Sequence, residues 1–552
     1  MADATTGKTE HIRQLCRSLR PILGNQMNQV FEAYCAEDDK GKQQVETYLE
    51  LLYAKHLPAS LDSSQPGLVP PSEKQASGPY TIGSVAYAGK CLYDFGLRED
   101  EWIQHVGVFG RSGAGKTNVG FLILKLLVDT EHPVLVFDWK RSYRDMLLES
   151  KDIEVYTIGR NIAPFTFNPL RPPKGSNPRS WLKKLIEVIA HAYLLGNGVM
   201  YLLQQAMDAV YEEAGVYSGK TVAQYPTFRD VLAKAKSHDA RGREAGWLSS
   251  TLRALASLCF GDMDTLVNTG ENQNLEDLLS KTVVLELDAL TQQDKIFFIE
   301  ALLLWIHHRR MIEKKRETFK HAILIEEAHH IFSGERRSLV GGQSVMEITF
   351  REIREFGESL IILDQHPSQI SLPALGNTYC TIAMNQKHRS DINALSQCML
   401  LDKDKDLLGQ LKVGQAIVKL QGRIARPFQI EIPEFPVEKG KVTDAWIQER
   451  MQSIAPAIAE NDTVNDNTSP DSWLTRTADN ALVFLKDVQE HPESGVAARY
   501  QRLGLSVRQG QKLLRKLFEE GLIVQHQATT KTGRMRVVRL SEKGKAVLGE
   551  TS

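Results

Sequence analysis

Short apolar runs alternate with longer amphipathic stretches between about residue 80 and residue 436. Seven of these runs, each about four to six residues long, are HVGVFG, PVLVFD, IEVYTI, TVVLEL, AILIEE, SLIILD and CTIAM. Unbroken apolar runs of this length are typical of strands that are buried on both faces of a parallel sheet. The stretches between them are long enough to form helices. The pattern therefore predicts an α/β domain with a mostly parallel sheet.

The remainder of the chain divides at segments rich in proline, serine and other turn-forming residues. Apolar residues at helical spacing predict an N-terminal helical region over residues 1–56. The other predicted boundaries are a linker at 57–79, the α/β domain at 80–454 with a helical insertion at about 181–280, a second linker at 455–473, and a compact C-terminal module at 474–552.

Composition narrows the class of protein only a little. The 552 residues are 42% hydrophobic and 24% charged, and 67 lysines and arginines nearly balance 68 acidic residues. Any basic surface must therefore be local. The six cysteines form no CxxC pair, which favours reduced thiols over a zinc site. No apolar run approaches the roughly 20 residues that span a bilayer, and the N-terminus has no signal-like apolar segment. We therefore predict a cytoplasmic protein without a membrane span.

One apolar run ends in two adjacent carboxylates, in the stretch ILIEEAHHIF. Glu326 and Glu327 repel each other, so their position directly after a predicted buried strand needs a reason. A surface helix that begins at Glu326 is one explanation. A site that holds a cation is the other. The pair alone does not decide between them.

The stretch HVGVFGRSGAGKTNVGFLILKLL contains the pattern GxxxxGK[ST], preceded by a predicted strand and followed by a predicted helix. Glycines let successive backbone N–H groups turn inward around phosphates, and the helix N-terminus adds its positive dipole end. The stretch therefore predicts a P-loop that binds ATP and Mg²⁺. Lys116 would bridge the β- and γ-phosphates, and the Thr117 hydroxyl would bind Mg²⁺. The predicted nucleotide-binding residues are Gly110, Arg111, Ser112, Gly113, Ala114, Gly115, Lys116, Thr117 and Asn118.

A P-loop gives the paired glutamates separate tasks. Glu326 would hold Mg²⁺, and Glu327 would orient and deprotonate the water that attacks the γ-phosphate. His329 and His330 could couple the site to its surroundings or be structural histidines. Gln365, after the run SLIILD, could sense the γ-phosphate or belong to a polar turn.

Two arginines precede the run SLIILD on a predicted helix. Arg351 and Arg354 are one helical turn apart, and either could complete the site of a neighbouring subunit. A solvated charged helix face explains them equally well.

The C-terminal module reads as three helices, a hairpin and a helix, and it resembles a winged-helix domain. From residue 499 to 545 it carries twelve basic and three acidic residues, a local excess that suits DNA. In such a fold the third helix enters the major groove and the wing contacts phosphates. A winged helix used for protein contacts is the alternative. The predicted DNA-binding residues are Arg508, Gln511, Lys512 and Arg515 on the third helix, and Lys531 and Arg534 in the wing.

The order of these motifs resembles the HerA/FtsK superfamily of ring-forming, DNA-pumping ATPases, over roughly residues 82–433. The motifs are the P-loop, a strand ending in Asp138, FNPL, EEAHH, an arginine-bearing helix before Gly357, DQHPSQI and GNT. The resemblance implies a RecA-like P-loop NTPase core and a homo-oligomeric ring, with a hexamer as the expected size. It implies double-stranded DNA as the substrate and a nuclease or another effector as a partner.

Carried over by position, the resemblance assigns Glu326 and Glu327 to the Walker B pair and Gln365 to the sensor. It makes Arg354 the best candidate for an arginine finger and Arg389 the second. The sequence departs from the family pattern in three places. Glu326 stands where aspartate is usual, DQHP replaces a TQRP-like segment, and the N-terminal region is predicted to be helical where many relatives carry a small β-barrel.

The resulting function hypothesis is an ATP-driven DNA translocase or helicase. Two alternatives stay open at this point. One is a DNA-binding regulator that ATP switches, and the other is a soluble ATPase of the conjugation or secretion type.

Overall fold

The computed structural model divides into two compact units, Met1–Pro456 and Ala457–Ser552. The first unit is described over most of its length, and the second over its helical and hairpin segments. The described residues are 2–57, 68–219, 222, 224–270, 275–313, 316–334, 344–401, 403–454, 484–492, 494, 496–503, 510, 514, 515, 517, 518, 521–530, 533–541, 543 and 545.

An 11-stranded sheet crosses the first unit in the order β2-β1-β11-β10-β9-β3-β8-β7-β4-β6-β5. The seven strands from β9 to β5 in this order are parallel, and the other four pair antiparallel beyond β9. The strands are β1 (Tyr80–Tyr87), β2 (Lys90–Leu97), β3 (Val106–Phe109), β4 (Val134–Asp138), β5 (Ile153–Thr157), β6 (Thr282–Glu286), β7 (His321–Glu326), β8 (Glu358–Asp364), β9 (Cys380–Met384), β10 (Gln415–Leu420) and β11 (Phe428–Glu431).

The seven parallel strands are the seven apolar runs of the sequence, so the predicted α/β fold is confirmed. Side chains alternate between the two faces of each strand. Leu135 and Phe137 of β4 enter one hydrophobic core, and Val134 and Val136 enter the other. Both faces of the sheet are buried, which explains why these runs contain few polar residues.

Helices cover both faces of the sheet. In the first unit they are α1 (Ala2–Leu23), α2 (Gln26–Ala36), α3 (Asp39–His56), α4 (Glu73–Ala76), α5 (Glu99–Trp102), α6 (Lys116–Asp129), α7 (Pro178–Tyr193), α8 (Asn197–Glu213), α9 (Phe228–Lys236), α10 (Arg243–Leu258), α11 (Asp262–Val267), α12 (Gln292–Met311), α13 (Val345–Glu352), α14 (Leu372–Gly376), α15 (Arg389–Met399), α16 (Leu407–Gln410) and α17 (Asp444–Ile454).

The segment between β5 and β6 is helical, as its amphipathic pattern suggests. Helices α7 to α11 lie there, and α7 packs against α12. A buried hydrogen bond joins these two helices, because His191 Nδ1 lies 2.7 Å from Glu300 Oε1. The insertion therefore shares a core with the sheet.

Three N-terminal helices pack together beside the antiparallel end of the sheet. Their core contains Ile12, Leu19 and Leu49, and Tyr87 of β1 packs into it. The Tyr87 hydroxyl donates to the carbonyl oxygen of Ser18 at 2.9 Å. This contact fixes the helices to the sheet.

The C-terminal unit contains α18 (Val496–Arg502) and a hairpin of β12 (Ile523–Thr530) and β13 (Gly533–Leu540). Buried Arg499 donates to Asp487 at 2.8 Å inside a small apolar core. Of the predicted DNA-binding residues, Arg515 is exposed and Arg534 lies in β13. The others, Arg508, Gln511, Lys512 and Lys531, lie outside the described residues, so the winged helix stays a prediction.

Among the helices of the described residues, none combines the length and the apolar character needed to cross a membrane.

A buried carboxylate links α12 with the first residues of β7 and β8. Glu358 accepts from Arg310 Nε at 2.5 Å, and its other oxygen lies 2.6 Å from His321 Nδ1. Burial opposes the charged form of Glu358, but His321 and Arg310 outweigh it and lower the pKa of this carboxyl.

We expect Glu358→Gln to lower the free energy of unfolding by about 1–3 kcal/mol at pH 7, because Arg310 would lose its buried partner and keep only the partly buried Glu313 at 2.9 Å. A carboxyl with a lowered folded-state pKa stabilises the fold above its unfolded value of about 4.3, and this contribution is lost as the pH falls further. The difference between variant and wild type should therefore shrink below about pH 4. Urea denaturation at several pH values measures this, with exposed Glu355→Gln as the control.

Candidate nucleotide-hydrolysis site

The P-loop connects the end of β3 to the start of α6. Gly113 and Gly115 have positive φ angles of 77° and 111°, which glycine adopts without strain. A Cβ atom on Gly110 would lie 2.9 Å from Cβ of Met384, so this position has no room for a side chain. The result is a bare backbone cradle at the N-terminus of a 14-residue helix, the arrangement that phosphate binding requires.

Side chains of the loop tie the cradle to neighbouring segments. Arg111 Nε donates to Asn385 Oδ1 at 2.6 Å, and the Arg111 backbone N–H donates to the Asn385 carbonyl at 2.8 Å. Asn118 donates to Pro433 O at 2.9 Å and accepts from the Phe435 N–H at 2.7 Å. Asn118 therefore fixes the chain that leaves β11 against the first turn of α6.

Lys116 and the paired glutamates lie at the same edge of the sheet. Lys116 Nζ donates to Gly110 O at 2.6 Å, and burial lowers the pKa of Lys116 although Glu327 and Asp364 favour its charged form. Glu326 is buried at the end of β7. Burial, Asp138 and Glu327 together raise its pKa. A carboxyl in these surroundings ionises readily only when a cation compensates its charge.

Glu327 stands in a left-handed backbone conformation with φ of 50°. This conformation is uncommon for a residue other than glycine, and such strain concentrates at functional sites. Its Oε1 atom accepts from Gln365 Nε2 and from Lys140 Nζ, both at 2.6 Å. The turn thus directs the carboxylate toward the ends of β8 and β4.

Asp364 at the end of β8 holds this turn in place. One of its oxygens accepts from the backbone N–H of His329 at 2.7 Å and lies 2.9 Å from His329 Nδ1. The other accepts from the His366 N–H at 2.6 Å. Burial opposes the charged form of His329, but the bond to Asp364 and the nearby Glu327 raise its pKa. His329 is therefore bound within the site, and we expect it to position Glu327.

The ligand atoms of Glu327, His329 and Asp364 lie within 4.8 Å of one another, close enough for a metal ion. The hydrogen bonds of Asp364 already account for this arrangement. The His330 ring lies between His329 and Trp139, with ring centroids 4.0 Å and 4.9 Å apart. Its Nδ1 lies 3.0 Å from Gln292 Nε2, a contact that connects the turn to α12.

One cavity of about 530 Å³ brings most of the predicted residues together. Its lining includes Lys116, Thr117, Glu326, Glu327 and Gln365, a set of charged and polar groups that fits a triphosphate and a divalent cation. Three apolar side chains also line this cavity and offer contacts to a base. They are Met384, Val413 and Ile432.

The structure places Arg354 at the amino ends of the parallel strands, on the side of the sheet away from the P-loop. It lies in the turn Ile353–Phe356, directly before β8, whereas the P-loop follows the carboxyl end of the parallel neighbour β3. Burial and, to a smaller extent, the charge of Arg354 lower the pKa of His105, the residue before β3, to about 4. The seven residues of β8 span on the order of 20 Å. Arg354 therefore lies far from the nucleotide site of its own chain.

The other two arginines occupy different positions. Arg351 is exposed on α13, near Arg354. Arg389 is exposed at the start of α15, after the carboxyl end of β9, and thus at the same edge as its own P-loop.

Sequence reasoning did not find Lys140 or the role of Asp364. Both stand at the end of, or just after, a predicted strand that runs parallel to the P-loop strand. Polar residues at the carboxyl ends of parallel strands converge on ligand sites. This rule, applied to FDWK and to ILDQ, would have included both residues.

The comparisons with known proteins agree with this geometry. Residues 80–304 match the family described as helicase HerA, central domain. The protein named probable helicase MJ1565 of Methanocaldococcus jannaschii is 23% identical over 321 residues, which cover 57% of this chain and 60% of that protein. The match thus spans less than two thirds of that relative.

Two solved structures share the fold. VirB4 of Thermoanaerobacter pseudethanolicus superimposes with a TM-score of 0.52 at 17% identity and covers 65% of this chain and 97% of its own. The bacterial conjugative coupling protein TrwBdeltaN70 gives a TM-score of 0.51 at 11% identity, covering 70% and 96%.

The parallel sheet, the P-loop and the acidic strand end define a P-loop NTPase with a RecA-like core. The match of residues 80–304 to the HerA central domain shows, more narrowly, that this part of the chain is similar to P-loop ATPases of the HerA/FtsK type.

Proposed function

We propose that this chain is a DNA translocase that hydrolyses ATP at the interfaces of a homo-oligomeric ring and moves double-stranded DNA. One observation carries the proposal. The phosphate cradle and Glu327 lie at the carboxyl ends of the parallel strands, and the candidate finger Arg354 lies at their amino ends. A chain built this way completes its site only by head-to-tail contact with a second copy, which generates a ring when the rotation closes.

Within one subunit, the cradle and Lys116 bind the phosphates of ATP. The Thr117 hydroxyl and the Glu326 carboxylate offer the oxygen ligands that Mg²⁺ prefers, and both residues line the cavity. When bound, Mg²⁺ neutralises charge on the phosphate oxygens.

Glu327 orients the attacking water and takes its proton. The left-handed turn and the Asp364–His329 contact hold its carboxylate at the cavity wall. Gln365 donates to the same carboxylate, so it can report the state of the phosphate end to β8. Arg354 of a neighbouring copy supplies the positive charge that stabilises the transition state.

Double-stranded DNA is the proposed substrate on two grounds. The matched family is named for a helicase, and the C-terminal module carries a local basic excess in an otherwise balanced chain. A hexamer, and a nuclease or another effector as a partner, stay predictions from the family resemblance.

The test is ATP hydrolysis by the full chain with and without duplex DNA. We expect stimulation on the order of tenfold, because a motor couples contact with its track to turnover, and this factor corresponds to about 1.4 kcal/mol of barrier. Slow hydrolysis that ignores DNA, together with a fixed footprint on one sequence, would instead favour a nucleotide-switched regulator.

A further inference from the structure

The ion pair between Lys140 and Glu327 is not explained by the roles assigned so far. Lys140 follows β4 and comes 187 residues before its partner, yet its Nζ lies 2.6 Å from Glu327 Oε1. Gln365 donates to the same oxygen at the same distance. The carboxylate that should receive a proton from water therefore already has two donors on one oxygen.

The backbone of Lys140 is fixed, whereas most of its side chain is exposed to solvent. Asp138 accepts from the Lys140 N–H at 3.0 Å and from the Tyr143 N–H at 2.8 Å, which closes the turn after β4. The Lys140 side chain is 62% exposed, against 12% for Glu327. An exposed lysine has several accessible rotamers, so Nζ can change partners without a backbone change.

Lys140 also lines the cavity that holds Lys116 and Thr117. Burial opposes its charge, but the bond to Glu327 and the nearby Glu326 and Asp138 raise its pKa, so the ammonium persists at neutral pH. The γ-phosphate of ATP carries more negative charge than one carboxylate and offers three acceptor oxygens. It therefore competes with Glu327 for this ammonium.

We propose that Lys140 is the residue by which this site distinguishes ATP from ADP. Its ammonium is hydrogen-bonded to Glu327 Oε1 and, when ATP binds, changes partner to the γ-phosphate, which ADP lacks. The transfer removes one of the two donors from Oε1 and leaves that oxygen able to accept a hydrogen bond from the attacking water. This inference rests on the proposed ATP hydrolysis and names a specificity-determining residue for it.

The proposal is tested by equilibrium binding of ADP and of a β,γ-imido ATP analogue to the full chain. Lys140→Met should weaken binding of the analogue about tenfold, or about 1.4 kcal/mol, and leave ADP binding within about twofold. Lys140→Arg, which keeps the charge, should restore most of the preference. The matched control is Lys441→Met. That lysine is 63% exposed and pairs with Glu438 at 3.5 Å, but it does not line the cavity.

A second variant tests the exchange of partners itself. Glu327→Gln removes the charge that holds Lys140, so this variant should bind the analogue more tightly relative to ADP. The gain should disappear in the double variant with Lys140→Met, as expected for two coupled residues. Equal weakening of both nucleotides by Lys140→Met, or no weakening of either, would overturn the proposal.

These binding measurements do not depend on hydrolysis. A wild-type chain that binds both nucleotides without hydrolysing ATP would refute the proposed function, while the ratio of the two affinities would still decide the role of Lys140.

Discussion

Replacing Glu327 with glutamine is expected to lower the rate of ATP hydrolysis by roughly a hundredfold to ten-thousandfold, the usual contribution of a positioned general base. Glutamine keeps the size of the side chain and can still accept from Gln365 through its amide oxygen. It cannot take a proton from water. Nucleotide binding should persist, because the cradle and Lys116 are unchanged. Phosphate release and nucleotide binding, measured on the same preparation, separate the two effects.

The matched control is Glu438→Gln. Glu438 is an exposed glutamate that also pairs with a lysine, and it lies outside the cavity. Its substitution should leave hydrolysis unchanged. If Glu327→Gln hydrolysed ATP at close to the wild-type rate, the general base would have to be another residue.

Replacing Arg354 with alanine should lower hydrolysis by about a thousandfold or more, the effect of losing an arginine finger. The position of Arg354 gives this prediction a second part. Because it lies at the edge opposite its own P-loop, its loss should damage the site of a neighbouring copy.

Mixing Arg354→Ala with Glu327→Gln tests this directly. In a random one-to-one mixture, about a quarter of head-to-tail interfaces would combine an intact Glu327 with an intact Arg354. Two inactive proteins should therefore recover activity when they are mixed and allowed to reassemble. No recovery would mean that Arg354 does not act in trans. Recovery with Arg389→Ala, and not with Arg354→Ala, would transfer the role to Arg389.

The sequence predicted the central strands well because each is buried on both faces. The run AILIEE, for example, contains no polar residue before Glu326, and the structure buries every residue of β7. The antiparallel strands were missed for the opposite reason. In β2, exposed Lys90 and Asp94 interrupt the apolar pattern, and the strand lies at the edge of the sheet. Half-buried strands of this kind have a weak local pattern.

Some residues of the candidate site were also predictable from the sequence, and others were not. The P-loop is a local motif, so Gly110 to Thr117 could be read directly from the sequence. The contacts of Glu327 with Lys140 and of His329 with Asp364 join residues that are far apart in the chain. Their meeting depends on the strand order, with β4 and β8 on either side of β7, and no spacing rule encodes that order.

The helical insertion and the C-terminal module show a further limit. The sequence pattern predicted the helices between β5 and β6, but it did not predict that α7 would share a buried hydrogen bond with α12. In the C-terminal unit, the hairpin and α18 are present in the described residues. Its DNA contacts stay predictions, because an excess of basic residues and a helical pattern do not by themselves define a bound partner.

Steady-state ATP hydrolysis by the wild-type chain, measured with and without duplex DNA, tests the central claim most directly. The residual rate of Glu327→Gln measures contaminating ATPase activity and is subtracted from the wild-type rate. We expect stimulation on the order of tenfold by duplex DNA in the wild type and none in the variant. Hydrolysis that depends on Glu327 but is unchanged by duplex DNA would contradict it.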